Sequence, residues 1–157
     1  MIKFEIPSWG EMVLEHLVLD FNGTIAFDGK LIPGIIERLD ILSSHLQIHI
    51  ISADTFGTVV EQCQYLKCTH HLLDNSFPGA AQKEKYIERL GASSVAAVGN
   101  GANDVAMLGC AALGIAVLGN EGLCCNALTN ADLVVKNIND ALDLLIYPKR
   151  LIATLRR

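Results

Sequence analysis

Six short runs of this chain are built around consecutive apolar residues, and most of them stop at a cluster of small or polar side chains. They span residues 15–20, 47–52, 70–73, 94–99, 113–117 and 133–135. Successive side chains of a strand point to opposite faces, so a strand apolar throughout has no face to give to water. Such strands belong in a parallel sheet covered by helices on both sides. The intervening segments supply those helices. Ile35, Ile36, Leu39 and Leu42 fall at helical spacing in residues 34–45, with Pro33 at a first-turn position. Asp54 or Thr55 can cap a helix running to Tyr65, and another covers residues 80–90, ended by Gly91. Asn103 or Asp104 starts a short helix and Asn139 a C-terminal one, while residues 2–6 read as an edge strand. No repeat or linker interrupts the pattern. The expectation is an α/β, Rossmann-like parallel sheet with helices on both faces, built as one domain from residues 1–157.

Composition narrows the function. At 51% hydrophobic and 18% charged residues the chain buries a core and is not disordered. A net charge of -5 argues against a general affinity for nucleic acid. Lys149, Arg150, Arg156 and Arg157 read as a solvated helix end complementing its own dipole. Lys3, Glu5, Glu11 and Glu15 break up any secretory signal. The longest uncharged apolar stretch, residues 105–120, falls short of the roughly 18–20 residues needed to span a bilayer. The cysteines at 63, 68, 110, 124 and 125 lack metal-ligand spacing. Reduced, mostly buried thiols and a cytoplasmic location follow. His70 and His71 read as packed or edge residues.

In parallel sheets the reactive site lies at the C-terminal strand ends, around a switch in strand order. The first strand, ending at Leu19, runs into Asp20-Phe21-Asn22-Gly23-Thr24. There a carboxylate can act as nucleophile or metal ligand, and a glycine lets backbone turn closely round an anion. Alone, the segment is equally well a polar turn. The next strand ends at Ser52, a phosphate hydrogen-bond donor with the N–H groups of a following helix, or simply a cap. Lys83 and Lys85 share one helix. One of them sits on a solvated face, and Lys83, four residues before Ile87, is placed differently against the apolar side. A lysine beside a phosphoaspartate would neutralise its charge. The fourth strand enters Gly99-Asn100-Gly101-Ala102-Asn103-Asp104, whose oxygens suit a hard cation such as magnesium. A dinucleotide loop is rejected there, because the third glycine of GxGxxG is missing and Asp104 stands where pyrophosphate would lie.

Taken in order, these segments resemble the haloacid dehalogenase superfamily of aspartate-nucleophile phosphohydrolases, over nearly the whole chain. Val98 to Asp104, then Met107-Leu108 and Ala112 to Val117, are similar to the hinge of P-type ATPase phosphorylation domains, and most similar to the stand-alone soluble P-type ATPase-like group. The resemblance implies Asp20 as nucleophile, Thr24 supporting the motif turn, Ser52 binding a phosphoryl oxygen and Lys83 holding the charges together. Magnesium would be bound by Asp20, the main-chain carbonyl of Asn22, Asn100 and Asp104. Two positions depart from the pattern. Asn22 replaces the aspartate that serves phosphatases as acid and base, a loss of roughly 10²–10⁴-fold. Asn100 replaces a magnesium-binding aspartate. The resemblance thus implies a slow phosphatase or phosphotransferase or, alternatively, a non-catalytic binding or regulatory module. The intervals from Asp20 to Ser52 and from Ser52 to Lys83 leave no room for a substrate-selecting cap. The open site would accept a phosphorylated small molecule or macromolecule, or be closed by a second subunit or a protein partner.

Overall fold

The computed structural model describes residues 1–54 and 57–157; Thr55, one of the two expected capping residues, lies outside them. The first half contains β1 (Ile2–Ile6), β2 (Gly10–Leu14), β3 (His16–Asp20), β4 (Ala26–Phe27), β5 (Lys30–Leu31), α1 (Ile35–Ser43), β6 (Gln47–Ser52), α2 (Val59–Cys63) and β7 (Thr69–Leu72). The second contains α3 (Gly79–Leu90), β8 (Val95–Gly99), α4 (Val105–Cys110), β9 (Leu113–Val117), α5 (Cys125–Asn130), β10 (Leu133–Val135), α6 (Ile138–Ile146) and α7 (Pro148–Leu155).

Six strands form the central sheet in the order β10-β9-β8-β3-β6-β7. Every pairing within it is parallel. Alternation along β3 sends Leu17 and Leu19 to one face, with Ile35, Leu39 and Leu42 of α1 and Ile138, Leu142 and Leu145 of α6. Val18 goes to the other, with Ile87 of α3, Met107 and Leu108 of α4 and Ala127 of α5. The inner strands β3, β6, β8 and β9 are buried from both sides as expected, but the edge strand β7 is largely exposed and β10 leaves Val134 exposed. A bidentate pair from Arg38 to Asp143, at 2.7 and 3.2 Å, ties α1 to α6.

Several local expectations need correction. Residues 2–6 form a strand but not an edge of the main sheet: β1 pairs with β2 in a separate antiparallel hairpin, from Ile2↔Leu14 to Ile6↔Gly10. The chain reverses there through Ser8 at φ 69 and Gly10 at φ 101, and Phe4, Ile6 and Leu14 join the core. Pro33 stands outside α1, which Gly34 precedes. The C-terminal helix is capped by Asn137, whose side chain accepts from the Asp140 N–H, while Asn139 donates to the Pro33 carbonyl. It breaks at Tyr147, and Pro148 opens α7. Lys149 and Arg150 therefore sit in the first turn of α7, where the dipole does not favour them; the Arg150 guanidinium lies 4.6 Å from the Tyr147 ring centre. All five cysteines are free, but only Cys63 is buried. No helix among the described residues is long and apolar enough to cross a membrane.

Candidate active site

The strand order reverses beside β3. From there the chain moves outward through β6 and β7, then returns to the other side of β3 with β8 and continues through β9 and β10. A crevice opens above the C-terminal ends of the two strands that flank such a switch. Asp20 ends β3, Gly99 ends β8 and Asn100 follows it, so two of the motif segments meet there.

Asp20 shares the sheet face of Val18, beneath α3. On that helix Lys83 lies one turn before Ile87, and both are fully buried; Lys85 points to solvent. The Lys83 ammonium bridges two carboxylates, at 2.5 Å from Asp20 Oδ1 and 2.6 Å from Asp104 Oδ1. Two buried carboxylates thus share one buried cation. Burial raises the Asp20 carboxyl to about 6, and Asp104 adds to the effect; Lys83 and the Thr24 hydroxyl pull the other way. Burial also disfavours the Lys83 ammonium, yet Asp20 and Asp104 outweigh it and leave its pKa raised.

The loops are shaped around these side chains. Asp104 Oδ2 accepts from the Asn100 N–H at 3.0 Å and the Gly101 N–H at 2.8 Å. The carboxylate therefore folds back over Gly99, where a Cβ would stand 2.5 Å from Asp104 Cγ. Gly23 has φ +79, and a Cβ there would come within 2.5 Å of Asn100 Nδ2. Thr24 is fully buried, with its hydroxyl 3.1 Å from Asp20 Oδ2 and 3.2 Å from Asn100 Oδ1. Asn100 Nδ2 donates to the Gly122 carbonyl at 3.1 Å, and the Asn100 carbonyl accepts from the Cys124 N–H at 2.9 Å. Asn100 is thus a strut between the two motif loops and the segment after β9. Sequence reading had no signal for Gly122, which acts through its main chain alone.

Asp20, Thr24, Lys83, Asn100 and Asp104 are therefore joined in one hydrogen-bonded cluster. Ser52 ends the neighbouring strand β6, fully buried, one residue past the partner of Asp20. Its Oγ accepts from the Asp54 N–H at 2.8 Å, which leaves the hydroxyl proton available. The helix expected to present N–H groups beside it does not: α2 begins only at Val59, and Asp54 Oδ1 accepts from the Thr58 and Val59 N–H groups. Asp54 is not the N-cap, a place held by Thr58, although its carboxylate accepts from the first N–H groups of the helix. Asn22 Oδ1 is buried without a hydrogen-bond partner.

These donors suit a hard cation in part. Asp20, Asp104, Asn22 and Asn100 offer only oxygen or amide groups, two carboxylates stand against one ammonium, and the Asn22 oxygen lacks a donor. The described residues hold no cluster of three or more His, Cys, Asp or Glu side chains fit for a metal. Magnesium commonly takes one or two carboxylates and completes its shell with water and substrate phosphate, and the residues fit that use.

No protein-family model matches the chain. An uncharacterized protein from Methanocaldococcus jannaschii is 56% identical over 39 residues, 25% of this chain and 89% of that protein. Structural likeness reaches much further. The 3-deoxy-D-manno-octulosonate 8-phosphate phosphatase of Moraxella catarrhalis, in complex with a magnesium ion, a phosphate ion and a KDO molecule, matches with a TM-score of 0.70. It is 16% identical, over 91% of this chain and 94% of its own. A phosphatase of the haloalkanoate (HAD) enzyme superfamily from Bacteroides thetaiotaomicron matches at 0.61, with 12% identity over 88% and 95% of the two chains. The catalytic domain of the CPx-ATPase CopB-B matches at 0.59 with 25% identity, over 73% of this chain and 45% of that one. The chain thus shares the fold of these haloacid dehalogenase superfamily phosphatases, with three of its four motif segments at the strand ends and Lys83 on α3.

Proposed function

We propose that this protein is a magnesium-dependent phosphatase or phosphotransferase that takes a phosphoryl group onto Asp20. The observation that carries the reading is the Asp20–Lys83–Asp104 cluster. Three charged groups taken out of water at a sheet's switch point cost several kcal/mol each before their mutual attraction is counted. A scaffold gains nothing there that apolar side chains would not supply.

In this reading Asp20 attacks phosphorus in line with the departing group. The Lys83 ammonium offsets charge on the nucleophile and on the transferring group, and the Ser52 hydroxyl donates to a phosphoryl oxygen. Thr24 fixes the rotamer of Asp20, and Asp104 keeps Lys83 charged and aimed. Asp20, the main-chain carbonyl of Asn22, Asn100 and Asp104 would hold magnesium, which would supply further neutralisation of the phosphoryl oxygens. The magnesium and phosphate in the Moraxella structure support this assignment. Between Asp20 and Ser52 lie the small β4–β5 hairpin and α1, and between Ser52 and Lys83 lie α2 and β7. Among the described residues no cap domain stands in either interval, so the substrate is a phosphorylated small molecule or macromolecule whose selection rests on the open rim or on a second protein.

Asn22 and Asn100 favour a second reading, a binding or regulatory module that keeps the fold without turnover. Intact mass after incubation with magnesium and acetyl phosphate separates the two. One added phosphoryl group on the wild type and none on Asp20→Asn is the expected result. A folded wild-type protein that gains no mass across a range of magnesium concentrations, and hydrolyses no standard phosphoester, supports the binding module instead.

A further inference from the structure

Resting on the reading of Asp20 as nucleophile, we infer that this site accepts activated phosphates, acyl or aryl phosphates whose leaving group departs as a stable anion, and discriminates against alkyl phosphate monoesters. The inference comes from where protons can be found. When the Oδ–P bond to Asp20 forms, the bond from phosphorus to the leaving oxygen breaks and its electron pair goes with that oxygen. An alkoxide is about as basic as hydroxide, the conjugate base of water with pKa ~15.7, and needs a proton as it leaves. A carboxylate or a nitrophenolate does not.

Among the described residues the site holds no group placed to deliver that proton. Asn22, two residues past the nucleophile, carries an amide. It can turn to point an N–H at the leaving oxygen and stabilise the anion by a hydrogen bond, but it has no proton to transfer. Lys83 is fully buried and directs its ammonium to Asp20 and Asp104, away from the open rim. Asp104 is also fully buried, and its two oxygens accept from Lys83 and from two main-chain N–H groups. The hydroxyls of Thr24 and Ser52 are far too weak as acids. Among the described residues no other Asp, Glu, His or Cys side chain hydrogen-bonds to the side chains of Asp20, Thr24, Lys83 or Asn100. Two histidines from the neighbouring strands share this sheet face. His49 pairs with Val18, two residues down the strand from Asp20, with its nitrogens engaged by His16 and Tyr86. His71 lies beyond Ile51, two strands from Asp20, with its ring 5.0 Å from that of Tyr86.

Leaving-group dependence tests this directly. The rate of Asp20 phosphorylation would be measured with magnesium for acetyl phosphate, for aryl phosphates from dinitrophenyl to phenyl, and for glycerol phosphate. The wild type should slow steeply as the phenol becomes more basic and leave glycerol phosphate at background. Asn22→Asp should gain about 10²-fold or more on phenyl and alkyl phosphates and show a much shallower dependence. Asn22→Ala should keep the steep wild-type slope. A shallow wild-type slope, or glycerol phosphate consumed as fast as acetyl phosphate, overturns the inference even if Asn22→Asp fails to fold. A folded wild type that reacts with no donor at all overturns the phosphatase reading, and the substrate class with it.

Discussion

Two polar clusters lie on the same face of the central sheet, both beneath α3, and burial has treated them differently. At the C-terminal end of β3, Asp20 and Asp104 surround Lys83. At the N-terminal end, His16 Nδ1 stands 3.1 Å from His49 Nε2, and His49 Nδ1 stands 2.9 Å from the Tyr86 hydroxyl. Lys83 and Tyr86 are one helical turn apart, so a single helix closes both. Burial pushes Asp20 up to about 6 and His49 down to about 4, in each case towards the neutral form. The second contribution at His49 is its neighbour His16. Only the upper cluster contains a counter-charge. A buried polar row keeps its charge where the chain supplies the opposite sign, and is satisfied as neutral hydrogen bonds where it does not.

The largest effect should come from removing that counter-charge. Lys83→Met leaves two carboxylates facing each other, and chemical denaturation should show a loss of about 3–5 kcal/mol, together with loss of the phosphoenzyme. If stability is unchanged, the upper cluster is not held by charge and the contrast fails.

His49 should dominate the acid response of the lower cluster. Folding holds it neutral, whereas the unfolded chain takes up a proton below 6.5. Its contribution is therefore complete above pH 6.5 and is lost as pH falls towards about 4, by up to about 3 kcal/mol. Asp20 works in the opposite direction, since its folded carboxyl takes a proton from about 6 while the unfolded one waits until 3.8. The difference between wild type and His49→Gln, measured by denaturation across this range, isolates the histidine. A difference that does not vary with pH would mean that His49 is hydrated in the fold.

A smaller change is expected for Asn100→Asp, which replaces an N–H donor to Gly122 by a second acceptor. About 1–2 kcal/mol should be lost in thermal or chemical unfolding, and an unchanged midpoint would show that the strut carries no weight. Lys85→Ala, two residues from the buried lysine but exposed, should stay within about 0.5 kcal/mol. A larger loss would blur the distinction between the two faces of α3.

Much of this organisation was legible in the residues. Residues 47–52, 113–117 and 133–135 became strands with those limits, because an apolar run closed by turn residues admits little else. Lys83 was separable from Lys85 by its spacing to Ile87. The elements that escaped depend on partners remote in sequence. β2 lacks an alternating pattern of its own and is a strand through its pairing with β1, and α5 and α7 are short helices defined by what they pack against. The bond from Asn100 to Gly122 left no trace because a main-chain acceptor has no side-chain signature. The histidine cluster was invisible for a related reason: His16, His49 and Tyr86 come from three separate elements that only the sheet register and α3 bring together.

The switch in strand order also has a kinetic side. β3 is the central strand, yet its partner on one side, β8, lies some eighty residues later in the chain. Closing a loop of that length costs entropy before any contact rewards it, and pairings of this kind tend to form late in folding. On that order Asp20 would be placed with the first strands to pair, and Asp104 would join it when β8 docks. Each charge then stays hydrated until its opposite docks, so the chain never has to carry a lone ion into a half-formed core. Substitutions at Lys83 should accordingly speed unfolding far more than they slow folding, a signature that stopped-flow chevrons read directly.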